Sequence, residues 1–183
     1  MTARATHHVL TLGDHAPAFD LPATDGQTYS LQSFRDSPFL TVIFLANHCP
    51  YVSAWEDRIV AIAREFGARG TAFVGISSND AAQVPQDGPE GMKRRVEEKG
   101  YPFPYLFDED QAVAQAFGAT RTPEVYVFDQ DRLLVYHGAV DSDFEESSGM
   151  ENYLRDALNA LRSGQRILLP ETPVVGCTIK RRS

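Results

Sequence analysis

The chain has 183 residues, 43% hydrophobic and 23% charged, which fits one soluble globular domain spanning 1–183 with a sizeable core. Its net charge of −8 excludes nucleic acid and anionic membrane surfaces as partners, since both select clustered Lys and Arg, and the short run Lys180-Arg181-Arg182 does not reverse that. The first residues lack the apolar core of a secretory signal and no run nears the ~18 apolar residues of a membrane span, so the expected compartment is the cytoplasm, where thiols stay reduced.

Residues 1–12 read as a loose lead-in, with His7-His8 solvated. Gly13 to Pro22 carries turn formers around Phe19 and Leu21 and predicts a short strand. Asp25-Gly26 is a hairpin turn signal, and 27–31 is the return strand. Residues 31–36 predict one helical turn, capped by Ser30 and stopped by Ser37-Pro38. Residues 39–46 form an almost unbroken apolar run, the pattern of a strand buried on both faces. From 51 to 68 the period becomes helical: Val52, Trp55, Ile59, Ile62, Ala63 and Phe66 share a face, while Glu56, Asp57, Arg58, Arg64 and Glu65 are expected in solvent.

A second buried strand is predicted at 71–77 and a turn-rich stretch at 78–88. Residues 89–99 predict a helix opened by Pro89 and closed by Gly100. A short strand is expected within 101–107 and a helix over 108–117. Residues 124–129 and 133–140 predict an antiparallel hairpin. An acidic loop (Asp141, Asp143, Glu145, Glu146) reads as solvated, a last helix covers 150–162, and an extended tail runs over 164–183. Strands alternating with helices, then a hairpin, give an α/β protein: a central mixed β-sheet flanked by helices, with an N-terminal β-hairpin extension.

The chemistry gathers at Asn47-His48-Cys49-Pro50, where the buried strand ends and the helix begins. A thiolate, not a thiol, is the nucleophile, and the N–H groups and dipole at a helix start favour negative sulfur. Pro50 fits the first helical position. His48 stands beside Cys49 and either adds positive charge or points to solvent. A buried, inert thiol is the alternative for Cys49, although a core cysteine belongs inside the apolar run and not at its polar end.

The segment Phe44-Leu-Ala-Asn-His-Cys-Pro-Tyr-Val52 resembles the active-site segment of thioredoxin-like redoxins. Gly13-Asp-His-Ala-Pro-Ala-Phe-Asp-Leu-Pro22 resembles the lead-in of the alkyl hydroperoxide reductase/thiol-specific antioxidant group. Gly118-Ala-Thr-Arg-Thr-Pro-Glu-Val-Tyr-Val-Phe-Asp129 resembles the segment bearing that fold's cis-proline. With Gly176-Cys-Thr-Ile-Lys180, the similarity is to a peroxiredoxin-like branch and covers nearly the whole chain.

The resemblance implies a thioredoxin-like fold and a thiol oxidoreductase in which Cys49 attacks a disulfide or a hydroperoxide. No cofactor or metal is expected, and an external thiol reductant is. It also implies a cis Thr122-Pro123 bond, with Pro50, Tyr51, Thr122 and Pro123 against the substrate; a trans proline opening an edge strand is the alternative. Arg121 either stabilises the thiolate or lies on the surface. Cys177 is a resolving cysteine, a merely packed one, or half of a bridge between two copies in a homodimer; the tail from Gly164 could reach ~40 Å if extended.

Three positions depart from the family pattern. Val52 stands where a thioredoxin has its second cysteine, and Val42 and Ala46 replace the Pro and Thr/Ser that precede a peroxiredoxin's reactive cysteine. A one-cysteine peroxidase and a non-catalytic peptide-binding module are the other readings.

Overall fold

Residues 9–145 and 149–183 are described by a computed structural model. His7-His8 and Glu146 lie outside the described residues.

The N-terminal hairpin forms as expected from β1 (Asp20–Pro22) and β2 (Thr28–Ser30) around the Asp25-Gly26 turn. A 3-10 turn follows at Leu31–Phe34, where the Ser33 hydroxyl accepts the Ser30 N–H at 2.9 Å. The apolar run is β3 (Phe39–Leu45), and β4 (Thr71–Ser77) lies parallel to it. Strand β5 is only Tyr105–Phe107, because Pro102 and Pro104 supply no N–H to a ladder. After a two-residue strand, β6 (Arg121–Thr122), come β7 (Glu124–Phe128) and β8 (Leu134–Gly138). The central sheet has the order β5-β4-β3-β7-β8, with β3, β4 and β5 parallel and the β7–β8 hairpin antiparallel.

The pleat divides the core in two. Ile43 and Leu45 of β3, with Val125 and Val127 of β7, face α1 (Pro50–Gly67), α2 (Pro89–Lys99) and α4 (Tyr153–Arg162). Leu40, Val42 and Phe44, with Tyr126 and Phe128, face the N-terminal hairpin and α3 (Ala112–Phe117). Every residue assigned to the inner face of α1 is buried. Helix α2 runs from Pro89 to Lys99 and is ended by Gly100, whose φ of 62° is the left-handed conformation glycine tolerates.

Three expectations need correction. Glu56 is buried, not solvated: α2 crosses over it, and Arg95 Nε (2.8 Å) and Tyr101 Oη (2.5 Å) both donate to Oε2. Arg58 and the acidic loop are not a free surface either. Asp141 is buried and accepts from Trp55 Nε1 at 2.6 Å and Arg58 Nη1 at 2.5 Å, while Arg58 also binds the carbonyls of Asp143 and Phe144. Helix α4 starts at Tyr153, after Asn152, because the backbone of Glu151 bonds back to Ser142 and the Leu154 N–H reaches Val140.

The tail does not trail into solvent. Pro170 and Thr172 bond to the backbone of His137 at the β8 edge, and a further strand, β9 (Cys177–Thr178), pairs antiparallel with β6. Ile179 then buries itself in the core on the α3 side. No helix among the described residues is long and apolar enough to cross a membrane.

Asp141→Ala removes the acceptor shared by Trp55 and Arg58. It is expected to cost roughly 3–5 kcal/mol, the range for breaking a buried ion pair, read as a lower urea midpoint at unchanged m-value. A loss under about 1 kcal/mol would show that the loop does not depend on this pair.

Candidate functional site

The site assembles where β3, α1, β6 and β9 meet. The strand ends at Leu45 because Asn47 and His48 must turn the chain, and Cys49 takes an extended conformation (φ −78°, ψ 120°) as the N-cap of α1 with Pro50 at its first position. This is where a strand-to-helix junction leaves backbone N–H groups without helical partners. Cys49 is fully buried, and its Sγ lies 3.3 Å from the carbonyl oxygen of Thr122, to which the thiol donates. The Thr122-Pro123 bond is cis.

The second sulfur comes from the tail. Both cysteines are free thiols, and in the β6–β9 ladder Cys177 stands opposite Thr122, the residue that touches Cys49. The β9 backbone comes close: a Cβ on Gly176 would lie 2.0 Å from the Thr122 oxygen, so only glycine fits there. Burial, and then the Cys49 thiol beside it, push the Cys177 thiol up to about 11, although the Tyr51 N–H favours the anion. Cys177 remains partly exposed while Cys49 is covered.

The remaining predicted residues divide. Arg121 is exposed, and its Nη1 donates to the Gly176 carbonyl at 2.8 Å, so the guanidinium fastens the tail from outside. The His48 ring bonds through Nδ1 to the carboxylate of Asp87 and does not simply face solvent. Pro50 is exposed, and Tyr51 packs edge-on against Phe144 with ring centroids 5.0 Å apart. Thr122 and Pro123 are both buried. Among the described residues no cluster has the makings of a metal site.

Sequence reasoning missed two polar anchors. Glu124, next to the cis bond, accepts the N–H groups of Thr120 (2.9 Å) and Arg121 (3.1 Å) and bonds the His137 ring at 2.7 Å, which fixes β6. Burial opposes its charge, but the bonds from His137 and from those backbone N–H groups win and hold its carboxyl below the usual range. Asp87 is the other. It sits in a Pro- and Gly-flanked stretch that reads only as a turn, so nothing local marks it.

The geometry is a buried thiol at a helix start, a cis-proline across from it, and a second thiol on an adjoining strand. The family model described as Redoxin matches residues 11–154. The chain belongs to the redoxin family. It is 32% identical over 117 residues to the Mycobacterium tuberculosis protein named "Putative peroxiredoxin Rv2521", a match covering 64% of this redoxin and 69% of that protein. A hypothetical protein from Sinorhizobium meliloti 1021, solved by crystallography, superposes with a TM-score of 0.90 at 37% identity over 96% of this chain and 97% of that one. The thioredoxin domain of a thiol-disulfide oxidoreductase from Bacteroides vulgatus shares the fold at 19% identity, with a TM-score of 0.59 over 71% of this chain and 89% of that one. The chain is thus a peroxiredoxin-like redoxin, with the thioredoxin-like α/β fold its motifs implied.

Two outcomes test this geometry. Gly176→Ala should force β9 off β6 and speed Cys49 alkylation roughly tenfold or more, since losing ~1.4 kcal/mol of strand pairing favours local opening by that factor; an unchanged rate would mean that β9 does not cover the sulfur. In the native protein, Cys177 should alkylate with a midpoint near 11. Its raised value means the fold keeps the proton. Stability from this group is therefore full below the ordinary thiol range near ~8.5 and is lost as pH rises towards 11. A midpoint at ~8.5 would contradict the burial, and the Cys49 contact beside it, that raise this thiol.

Proposed function

We propose that this redoxin is a two-cysteine thiol oxidoreductase, with Cys49 the attacking sulfur and Cys177 the resolving one. The observation that carries this reading is the strand pairing that sets Cys177 opposite Thr122, whose carbonyl already touches Cys49.

With a hydroperoxide, the Cys49 thiolate takes the distal oxygen, an alcohol leaves with one added proton, and Cys49 becomes a sulfenic acid. The Cys177 thiol then attacks that sulfur; the S–O bond breaks, water leaves, and a Cys49–Cys177 disulfide remains. With a disulfide substrate, Cys49 forms a mixed disulfide and expels one thiol, and Cys177 displaces the other to give the same product. An external thiol reductant returns the two electrons.

Cys177 thereby takes over the task of the second cysteine that a thioredoxin carries where this chain has Val52, a core residue here. The same tail disfavours the peptide-binding module, because β9 already occupies the β6 edge beside Pro123 that an extended peptide would need. His48 and the Pro50-Tyr51 turn are proposed to face the incoming substrate, and Arg121 to act through its hold on the tail.

Stoichiometric hydrogen peroxide followed by peptide mass mapping tests the reading. The expected product is a Cys49–Cys177 bridge, replaced in Cys177→Ser by a sulfenic acid on Cys49 and absent in Cys49→Ser. A lone sulfenic acid in the wild type would favour the one-cysteine peroxidase, and unmodified thiols would leave the binding module.

A further inference from the structure

The turn before Cys49 and the tail around Cys177 lie far apart in sequence, yet one buried carboxylate bonds the first directly and reaches the second through Asn79. Asp87 has no exposed surface and sits on the short 3-10 turn Pro85–Asp87 between β4 and α2. Towards the turn, its Oδ1 accepts the N–H groups of Asn47 at 2.5 Å and His48 at 3.3 Å, and its Oδ2 bonds the His48 ring at Nδ1. Towards the tail, the same Oδ2 accepts from Asn79 Nδ2 at 2.8 Å, and Asn79 Oδ1 in turn accepts the Lys180 N–H at 2.6 Å. The Lys180 carbonyl is held from the same loop by the Asp80 N–H at 2.9 Å. The backbone of Asp87 is fixed as well: its N–H bonds the Val84 carbonyl at 3.0 Å, and the Ser77 hydroxyl donates to its carbonyl at 3.1 Å.

A buried carboxylate costs several kcal/mol unless its lone pairs are filled. Here they are filled by the turn that carries Cys49 and by Asn79, which in turn holds the tail that carries Cys177. We infer that Asp87 is the positioning residue of the Cys49–Cys177 pair, setting the turn that delivers Cys49 and, through Asn79, the strand that delivers Cys177. It touches neither sulfur in the contacts described, so its effect is on their relative placement. Two thiols held in place before reaction have a high effective concentration towards each other, and this makes their disulfide harder to reduce. The inference rests on the two-cysteine reading above.

The experiment is a glutathione redox titration of the full chain, in which the Cys49–Cys177 disulfide and two glutathione thiols exchange for two protein thiols and glutathione disulfide. Asp87→Asn keeps the shape but puts an amide donor among N–H groups. It is expected to lower the effective concentration at least tenfold, which raises the reduction potential by about 30 mV. Asn79→Ala cuts only the tail arm and should shift the potential in the same direction. Melting temperature is followed in parallel. A lower melting temperature with an unchanged potential would mean that Asp87 only supports the fold, and would overturn the inference. If Asp87→Asn does not fold, Asn79→Ala decides alone, and an unchanged potential there overturns it. If the wild type forms no Cys49–Cys177 disulfide in the titration, the two-cysteine function fails and takes this inference with it; a normal wild-type disulfide with unshifted variants removes the inference alone.

Discussion

The carbonyl of Thr122 is the point on which the site turns. It accepts from the Cys49 thiol on one side and meets the Gly176 backbone on the other, so it fixes the separation between the α1 start and the tail. Its own position is set by the neighbouring cis bond and by Glu124, whose carboxylate gathers the N–H groups just before it. The central sheet supports this from behind: β7 leaves the cis-proline and pairs directly with β3, the strand that ends at the Asn47-His48 turn. Both approaches to Cys49 therefore start from adjacent strands of one rigid layer.

Where a feature depends on local pattern, the sequence was a sufficient guide. The apolar run of β3, the three- and four-residue spacing of α1, and the Pro89-to-Gly100 frame of α2 all depend on side chains close together in the chain. The cysteine at the polar end of a buried strand was legible for the same reason. Charged residues were not. Glu56, Arg58 and Asp141 look solvated, and Asp87 reads only as part of a turn, because a carboxylate or guanidinium is normally exposed, and only a partner dozens of residues away makes burial tolerable. Nothing in the spacing of these residues announces that partner.

The tail shows the same division. Its reach towards Cys49 follows from chain length, but its register does not. The two residues of β9 are too few for an alternation to be read, and what places them is Gly176 against Thr122, Ile179 in the core and the bonds from Asn79 and Asp80. The positions that depart from family pattern fit this arrangement. Val52 and Ala46 are buried apolar residues, so the space beside Cys49 is filled by core and the second thiol arrives from outside the helix.

That arrival has a consequence during synthesis. β9 is made after every strand of the central sheet and after the last helix. On the ribosome, the sheet and α1 are complete while Cys177 is still to be added, so the nascent domain carries Cys49 before β9 pairs beside it. For that interval the thiol is as accessible to cellular oxidants and to other nascent cysteines as its own turn allows. The pairing of β9 with β6 then brings the tail to the residue that touches Cys49.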